Sequence, residues 1–206
     1  MEKYWNNVWD APDIEKYIGY VKSYVAWKPE FLEIFAKHNV KNVCDAACGF
    51  GAYSVMMSKR GYLVSGFDIS ENSVNLTRRM VQEFGLSCGK YEVCEITDIR
   101  YDDATFCAAV AHAVIDHIPL ADAKIALAEL FRIITPGGLL YLSFDPLGED
   151  DLNNKHKVSD DGSLIYEDGL LFRYYSEKDI CLLLDGRKII YSNTNPRGER
   201  EYILLK

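Results

Sequence analysis

The chain has 206 residues, 49% hydrophobic and 26% charged, with a formal net charge of −8 at pH 7 and a pI near 5.0. That length and mix fit one soluble domain with a sizeable core. The acidic balance and the lack of any Lys/Arg run argue against a protein that grips nucleic acid or anionic membrane over a broad face. No apolar span is long enough to cross a bilayer, and Met1 to Asp10 carries no signal-peptide core, so the expected location is the cytoplasm.

Residues 1–41 hold Trp5, Trp9, Tyr17, Tyr20, Tyr24, Trp27 and Phe31. Ile14, Tyr17, Ile18 and Val21 share one face of a predicted helix, which either packs on a sheet edge or lids a site. Strand and helix then alternate. Asn42–Ala46 reads as a strand, Ala52–Arg60 as a helix closed by Gly61, and Leu63–Asp68 as a strand. Ser70 caps a helix running to Phe84, closed by Gly85. Tyr91–Glu95 and Phe106–Ala111 read as strands. Pro119 opens a helix through Ile133, Pro136-Gly137-Gly138 breaks it, and Leu139–Phe144 is the fifth strand.

Residues 145–172 are polar and read as a long loop or a small hairpin excursion. Ser176-Glu177-Lys178-Asp179 starts a capped helix to Leu184. Lys188–Tyr191 and Tyr202–Leu205 form a hairpin across Asn193 to Gly198. The order predicts an α/β fold: a doubly wound, Rossmann-like seven-stranded sheet, parallel except for an antiparallel C-terminal hairpin strand. One domain, 1–206, divides into a helical and aromatic lid region (1–41), a cofactor-binding core (42–144), an insertion near the acceptor (145–175) and a final helix with hairpin (176–206). The six cysteines, 44, 48, 88, 94, 107 and 181, lack Cys-x-x-Cys spacing and read as buried free thiols, with no metal expected.

The most informative stretch is Val43-Cys44-Asp45-Ala46-Ala47-Cys48-Gly49-Phe50-Gly51. A strand ends on an acid, and a two-glycine turn leads into a helix. Gly49 and Gly51 let backbone approach a ligand, and helix-start N–H groups near Ala52 suit a carboxylate. Asp45 suits an ammonium and would repel a pyrophosphate. Asp68, at the end of the second strand, can take two ribose hydroxyls or serve only as a turn residue. Ile69 offers an apolar face to a purine. Asp98 can accept from an adenine amine, with Ile99 on the ring, or be a plain loop acid. His112 leaves the fourth strand toward the crevice, and Asp116 and His117 follow nearer an acceptor. His117 otherwise reads as a pocket wall and Asp116 as a cap before Pro119.

These positions resemble the class I S-adenosylmethionine-dependent methyltransferases, especially the broad type 11/12/25 group of small bacterial enzymes. The resemblance rests on Asp45 to Gly51, Asp68, Asp98, the run from Phe106 to Pro119, Pro136-Gly137-Gly138 and Arg173-Tyr174-Tyr175-Ser176. Phe50, Ala52 and Cys107 depart from the pattern. It implies S-adenosylmethionine held by Asp45, Ala47, Gly49, Gly51, Asp68, Ile69, Asp98, Ile99 and His112, with S-adenosylhomocysteine as product. The candidate bases are His117, Asp116 and His112. Trp5, Trp9, Tyr17, Tyr24, Phe144, Arg173 and Tyr174 are the candidate acceptor pocket. A small-molecule acceptor is expected, with no nucleic-acid or membrane partner; no oligomeric state is legible.

Two rivals remain at this stage. A non-catalytic cofactor-binding module would keep the same motif. An NAD(P)-dependent oxidoreductase would need a third glycine where Ser54 stands, and its Tyr-x-x-x-Lys pairs (Tyr24/Lys28, Tyr174/Lys178) fall in the wrong places.

Overall fold

The computed structural model describes residues 1–10, 13–87 and 89–206, without the side chains of Asp150 and Leu152. Cys88 lies outside the described residues. Three helices lead: α1 (Glu2–Val8), α2 (Ile14–Ala26) and α3 (Glu30–Lys37). Then come β1 (Asn42–Ala46), α4 (Ala52–Ser58), β2 (Leu63–Asp68), α5 (Glu71–Glu83), β3 (Tyr91–Val93), β4 (Phe106–Ala111), α6 (Leu120–Ile133) and β5 (Ile134–Phe144). The chain ends with α7 (Glu149–Asn153), β6 (His156–Val158), β7 (Leu164–Tyr166), β8 (Leu171–Phe172), α8 (Glu177–Leu183), β9 (Lys188–Thr194) and β10 (Arg200–Leu205).

Seven strands form one sheet in the order β3-β2-β1-β4-β5-β10-β9. β1 to β5 run parallel, and β10 runs antiparallel to both β5 and β9. This is the expected fold class. Side chains alternate across the sheet, as period-two geometry demands. Cys44, Ala109 and Leu140 face α6 and α8, whereas Val43, Val110 and Tyr141 face α3 and α4. Helices therefore bury both faces, which is why these strands read as near-continuous apolar runs.

Local chemistry sets several boundaries. Ser70 caps α5 by accepting from Ser73 N–H (3.1 Å). Ser176 and Asp179 form a reciprocal capping box on α8. Pro136-Gly137-Gly138 does not separate a helix from a strand. Gly137 N–H donates to Lys206 O and Lys206 N–H to Gly138 O, both at 3.0 Å, so the chain end carries β5 back to Ile134. The ladder opposite, on β4, shifts register between Phe106 and Ala108 to absorb the extra residues. Residues 145–172 are neither bare loop nor one hairpin: α7 leads into an antiparallel β6-β7-β8 meander. The cysteine expectation needs correction too. Cys44, Cys48 and Cys94 are buried, Cys107 is half-buried and Cys181 is exposed.

Gly66 marks a close approach between β1 and β2. A Cβ there would sit 2.5 Å from the Asp45 carbonyl oxygen, so only glycine lets the two strands that carry the acids pair at this point. Sheet order reverses between β1 and β4, and that switch point opens a crevice at their carboxyl ends.

Candidate functional site

A cavity of about 440 Å³ occupies that crevice. The volume suits a small molecule. Its floor is the turn between β1 and α4, where Ala47, Gly49 and Gly51 all take positive φ (57°, 53° and 82°). The turn is clamped from two sides. Cys48 N–H donates to Phe67 O on β2 (3.0 Å), while Ser73 and Thr77 of α5 donate to Gly49 O (2.8 and 3.0 Å). Gly51 faces Thr77, 3.1 Å from the Thr77 Cα to a built Cβ, so it spaces the turn rather than lining the cavity.

Asp68 and Asp45 flank the turn, and both line the cavity. Asp68 accepts Gly49 N–H (3.0 Å) and Ser70 N–H (2.9 Å) and is only 5% exposed. Burial pushes its carboxyl up, and these backbone donors pull it part of the way back. Asp45 accepts from Ser54 Oγ and is 3% exposed. Burial pushes Asp45 up to about 6, against the lowering effects of Ser54 and His112. A buried carboxylate this short of compensation fits a ligand that brings positive charge. The donor set therefore suits S-adenosylmethionine: Asp45 for the ammonium, Asp68 for the ribose, and the N–H groups at the start of α4 for the carboxylate.

On the β2–β3 side the cavity wall gathers only part of the expected set. Ile69 lines the cavity beside Ile96 and Thr97, but Asp98 and Ile99 do not. Strand β3 ends after three residues, and a turn closed by Asp98 N–H to Glu95 O (3.1 Å) swings Asp98 outward. Asp98 borders an adjoining cavity of about 410 Å³ with Ile69, Cys94 and Arg100. Ile99 turns into the core, its N–H held by Glu129 (3.0 Å).

At the other end stand His112 and His117. His117 Nδ1 lies 2.9 Å from Leu171 O. A carbonyl only accepts, so Nδ1 carries the proton and Nε2 is left basic. Burial lowers the pKa of this ring and keeps it neutral. Trp5 meets it edge-on at 5.4 Å. Asp116 does not reach the cavity. It is 1% exposed, its Oδ2 accepts Asp145 N–H (2.6 Å), and burial pushes it well up, so it pins the end of β5.

Trp5, Trp9 and Tyr24 line the cavity; Tyr17, Phe144, Arg173 and Tyr174 do not. Tyr17 supports the wall from behind, against Trp9 and Phe50. Phe144 is fully buried on the opposite face of the sheet, packed on Tyr175 and Tyr202. Arg173 pairs with Asp161, and Tyr174 lies exposed under Arg200. Several residues in or beside the cavity wall were not singled out by the sequence. Tyr53, one residue into α4, lies over His112 at 4.5 Å, and Glu199 sits 3.7 Å from His112 Nε2. Asn6 latches α1 over the site, accepting Ser70 Oγ–H (2.8 Å) and the Asn72 side-chain amide (2.9 Å, onto its carbonyl). Periodicity could flag Tyr53; only tertiary structure brings in Asn6 and Glu199.

Comparison with known proteins agrees with this geometry. Residues 43–138 match a family described as a methyltransferase domain. An S-adenosyl-L-methionine-dependent Diels–Alderase of a Neonectria species is 32% identical over 53% of this chain and 40% of its own length. Demethylmenaquinone methyltransferase of Listeria welshimeri is 28% identical over 58% of this chain and 51% of its own. The chain thus spans about half the length of the curated relatives it matches. The 1,6-didemethyltoxoflavin-N1-methyltransferase of Burkholderia thailandensis, solved with S-adenosylhomocysteine, superposes with a TM-score of 0.66 at 18% identity, covering 97% of this chain and 80% of that one. Residues 43–138 thus match a methyltransferase-domain family, and the whole chain shares the fold of that enzyme.

Proposed function

We propose that this chain transfers a methyl group from S-adenosylmethionine to a small, flat, largely apolar acceptor. The observation that carries it is the pair of buried acids, Asp45 and Asp68, flanking a clamped glycine turn on the cavity floor. When bound, the cofactor supplies an electrophilic methyl on a sulfonium with a good leaving group. The protein's remaining work is to position the acceptor, exclude water and take a proton where the acceptor carries one. Trp5, Trp9, Tyr24 and Tyr53 give the acceptor end aromatic walls, and Arg173 is engaged elsewhere, so a carboxylate handle is not required.

In this reading residues 1–41 serve as the lid, 42–144 as the cofactor core and 145–175 as the acceptor-side insertion of one domain. A cytoplasmic setting suits the five described cysteines, none of which is in a disulfide. Calorimetry with S-adenosylmethionine, followed by a labelled-methyl screen of a metabolite extract, tests the proposal. Micromolar binding with formation of S-adenosylhomocysteine is expected. Binding without product formation favours the non-catalytic module, and no binding removes both.

A further inference from the structure

Carboxylates from three separate elements lie within electrostatic reach of His112. Asp45 comes from β1, Asp145 follows β5, and Glu199 stands on the turn into β10. Tyr53 of α4 lies over the ring. Glu199 is the closest acid, with Oε2 3.7 Å from His112 Nε2, a nitrogen that is buried without a hydrogen bond. The carboxylate is held by the Asn195 side-chain amide (2.6 Å) and by Arg197 (3.4 Å). The same amide also reaches Glu201 (3.2 Å), so two buried carboxylates share one neutral donor. Burial pushes Glu199 up, but His112 first, then Asn195 and Arg197, outweigh it and hold it down to about 2. It is therefore an anion at neutral pH. The hydroxyls of Tyr53 and Tyr141 lie in the same region, buried and without hydrogen-bond partners. Both phenols feel the Glu199 charge.

Arg197 compensates one oxygen of Glu199, and a positive charge on His112 would compensate the other. His117 offers the contrast. Its Nδ1 faces a carbonyl, and burial disfavours its charged form. Of the two histidines, only His112 has a carboxylate within ion-pair distance of a ring nitrogen.

We propose that Glu199 is the positioning residue of a His112–Glu199 pair in which His112 is the general base, and that the acceptor offers a weakly acidic O–H or ring N–H. The assignment rests on the methyltransferase reading above. As the acceptor's O or N bonds to the methyl carbon, the carbon–sulfur bond breaks and its electron pair stays on sulfur. The acceptor proton passes to His112 and from there to solvent. Glu199 faces Nε2, so the proton is taken at Nδ1, and the carboxylate stabilises the cation without taking the proton, the role a buried carboxylate plays behind a catalytic histidine.

The test uses the full chain, ¹⁵N-labelled at histidine and saturated with S-adenosylhomocysteine. In Glu199→Gln the ring ¹⁵N resonances of His112 should move, since the anion beside Nε2 is lost. His38 and His156, distant from the pair, serve as references. Glu199→Asp should recover part of the shift, and it replaces the amide variant should that fail to fold. Turnover is read with 1,4-dihydroxynaphthalene, a hydroxypyridine, a thiophenol and a benzoate. On the O–H and N–H probes His112→Asn should cost about 100-fold or more in kcat and Glu199→Gln about tenfold. The acid limb of the Glu199→Gln profile should move to lower pH, with KM for the cofactor within about twofold. Unmoved His112 ¹⁵N resonances, or a uniform loss of kcat without displacement of the limb, overturn the pair. Transfer only to the thiol or carboxylate, or to no probe, overturns the acceptor class. Failure of the wild-type chain to bind the cofactor in calorimetry overturns instead the reading beneath it.

Discussion

At the β1–β2 end of the crevice the polar groups, Asp45 apart, are already held. Asp68 takes two backbone N–H groups, and the Gly49 carbonyl takes two hydroxyls from α5. At the β4–β5–β10 end they are not. His112 Nε2 and the hydroxyls of Tyr53 and Tyr141 are buried without partners. The first end is a rigid cradle for a ligand of fixed shape. The second keeps unpartnered polar groups in and beside the cavity wall rather than a preformed cradle. Preorganisation at one end and unspent hydrogen-bonding capacity at the other are a physical division of labour between cofactor and acceptor.

Asp68→Ala should break the first end most severely. It removes the proposed ribose acceptor and strands the Gly49 and Ser70 N–H groups in a buried site. Affinity for S-adenosylhomocysteine should fall by about 100-fold or more, and stability by roughly 2–4 kcal/mol. Calorimetry and thermal unfolding measure the two losses separately. Unchanged affinity would move the ribose away from Asp68 and erase the contrast between the two ends.

Asp45→Asn should separate binding from stability. The Asp45 carboxyl moves from 3.8 to about 6 on folding because burial disfavours its charge. A raised acid favours the protonated native state, so this group's contribution to the ligand-free protein declines as pH rises from about 4 to about 6. At pH 7 the displacement corresponds to on the order of 3 kcal/mol, which the amide should largely restore as a higher melting temperature. Cofactor affinity should move the opposite way, falling about 10–100-fold. In the wild type, affinity should rise with pH up to about 6 and then level off as Asp45 ionises; in Asp45→Asn that dependence should vanish. A variant that loses affinity without gaining stability would show that Asp45 is compensated even without ligand.

The same contrast explains what the sequence makes legible. The cofactor end is built from one contiguous stretch, Asp45 to Ala52, plus Asp68 at the close of the next strand, so strand–turn–helix pattern and spacing suffice to find it. Asp98 and Ile99 go astray because β3 is only three residues long and the turn after it rotates both away from the cavity. The acceptor end gathers residues 5, 9, 24, 53, 112, 117 and 199 from six separate segments. Nothing local marks Glu199, which reads as a surface acid in a turn until the reversed strand β10 brings it beside His112. Phe144 misleads for a simpler reason: strand alternation places it on the far face of the sheet.

A smaller effect should come from the α1 latch. Asn6→Ala removes the acceptor for Ser70 Oγ and should cost about 1 kcal/mol, seen as a several-fold faster release of S-adenosylhomocysteine in stopped flow. Equal release rates would mean that Trp5 and Trp9 hold α1 closed on their own.

The smallest effects sharpen the comparison furthest. Each end contains one alanine in left-handed backbone, Ala47 at φ 57° and Ala113 at φ 48°. Glycine at either position relieves roughly 1 kcal/mol of strain but adds a comparable 0.4–1 kcal/mol of unfolded-chain entropy. Net stability should therefore change by less than about 1 kcal/mol in both variants. Their functional effects should differ. The Ala47 turn is tied down by Cys48 N–H to Phe67 O and by the Ser73 and Thr77 hydroxyls, so Ala47→Gly should leave cofactor affinity within about twofold. Ala113 has a single tether, its N–H to Ser143 Oγ at 2.9 Å, and it directly follows His112. Ala113→Gly should loosen the base and lower acceptor turnover by about two- to fivefold while cofactor affinity stays fixed. Equal responses at the two positions would mean that the acceptor end is as rigid as the cofactor end, and that its unpartnered groups are held by packing alone.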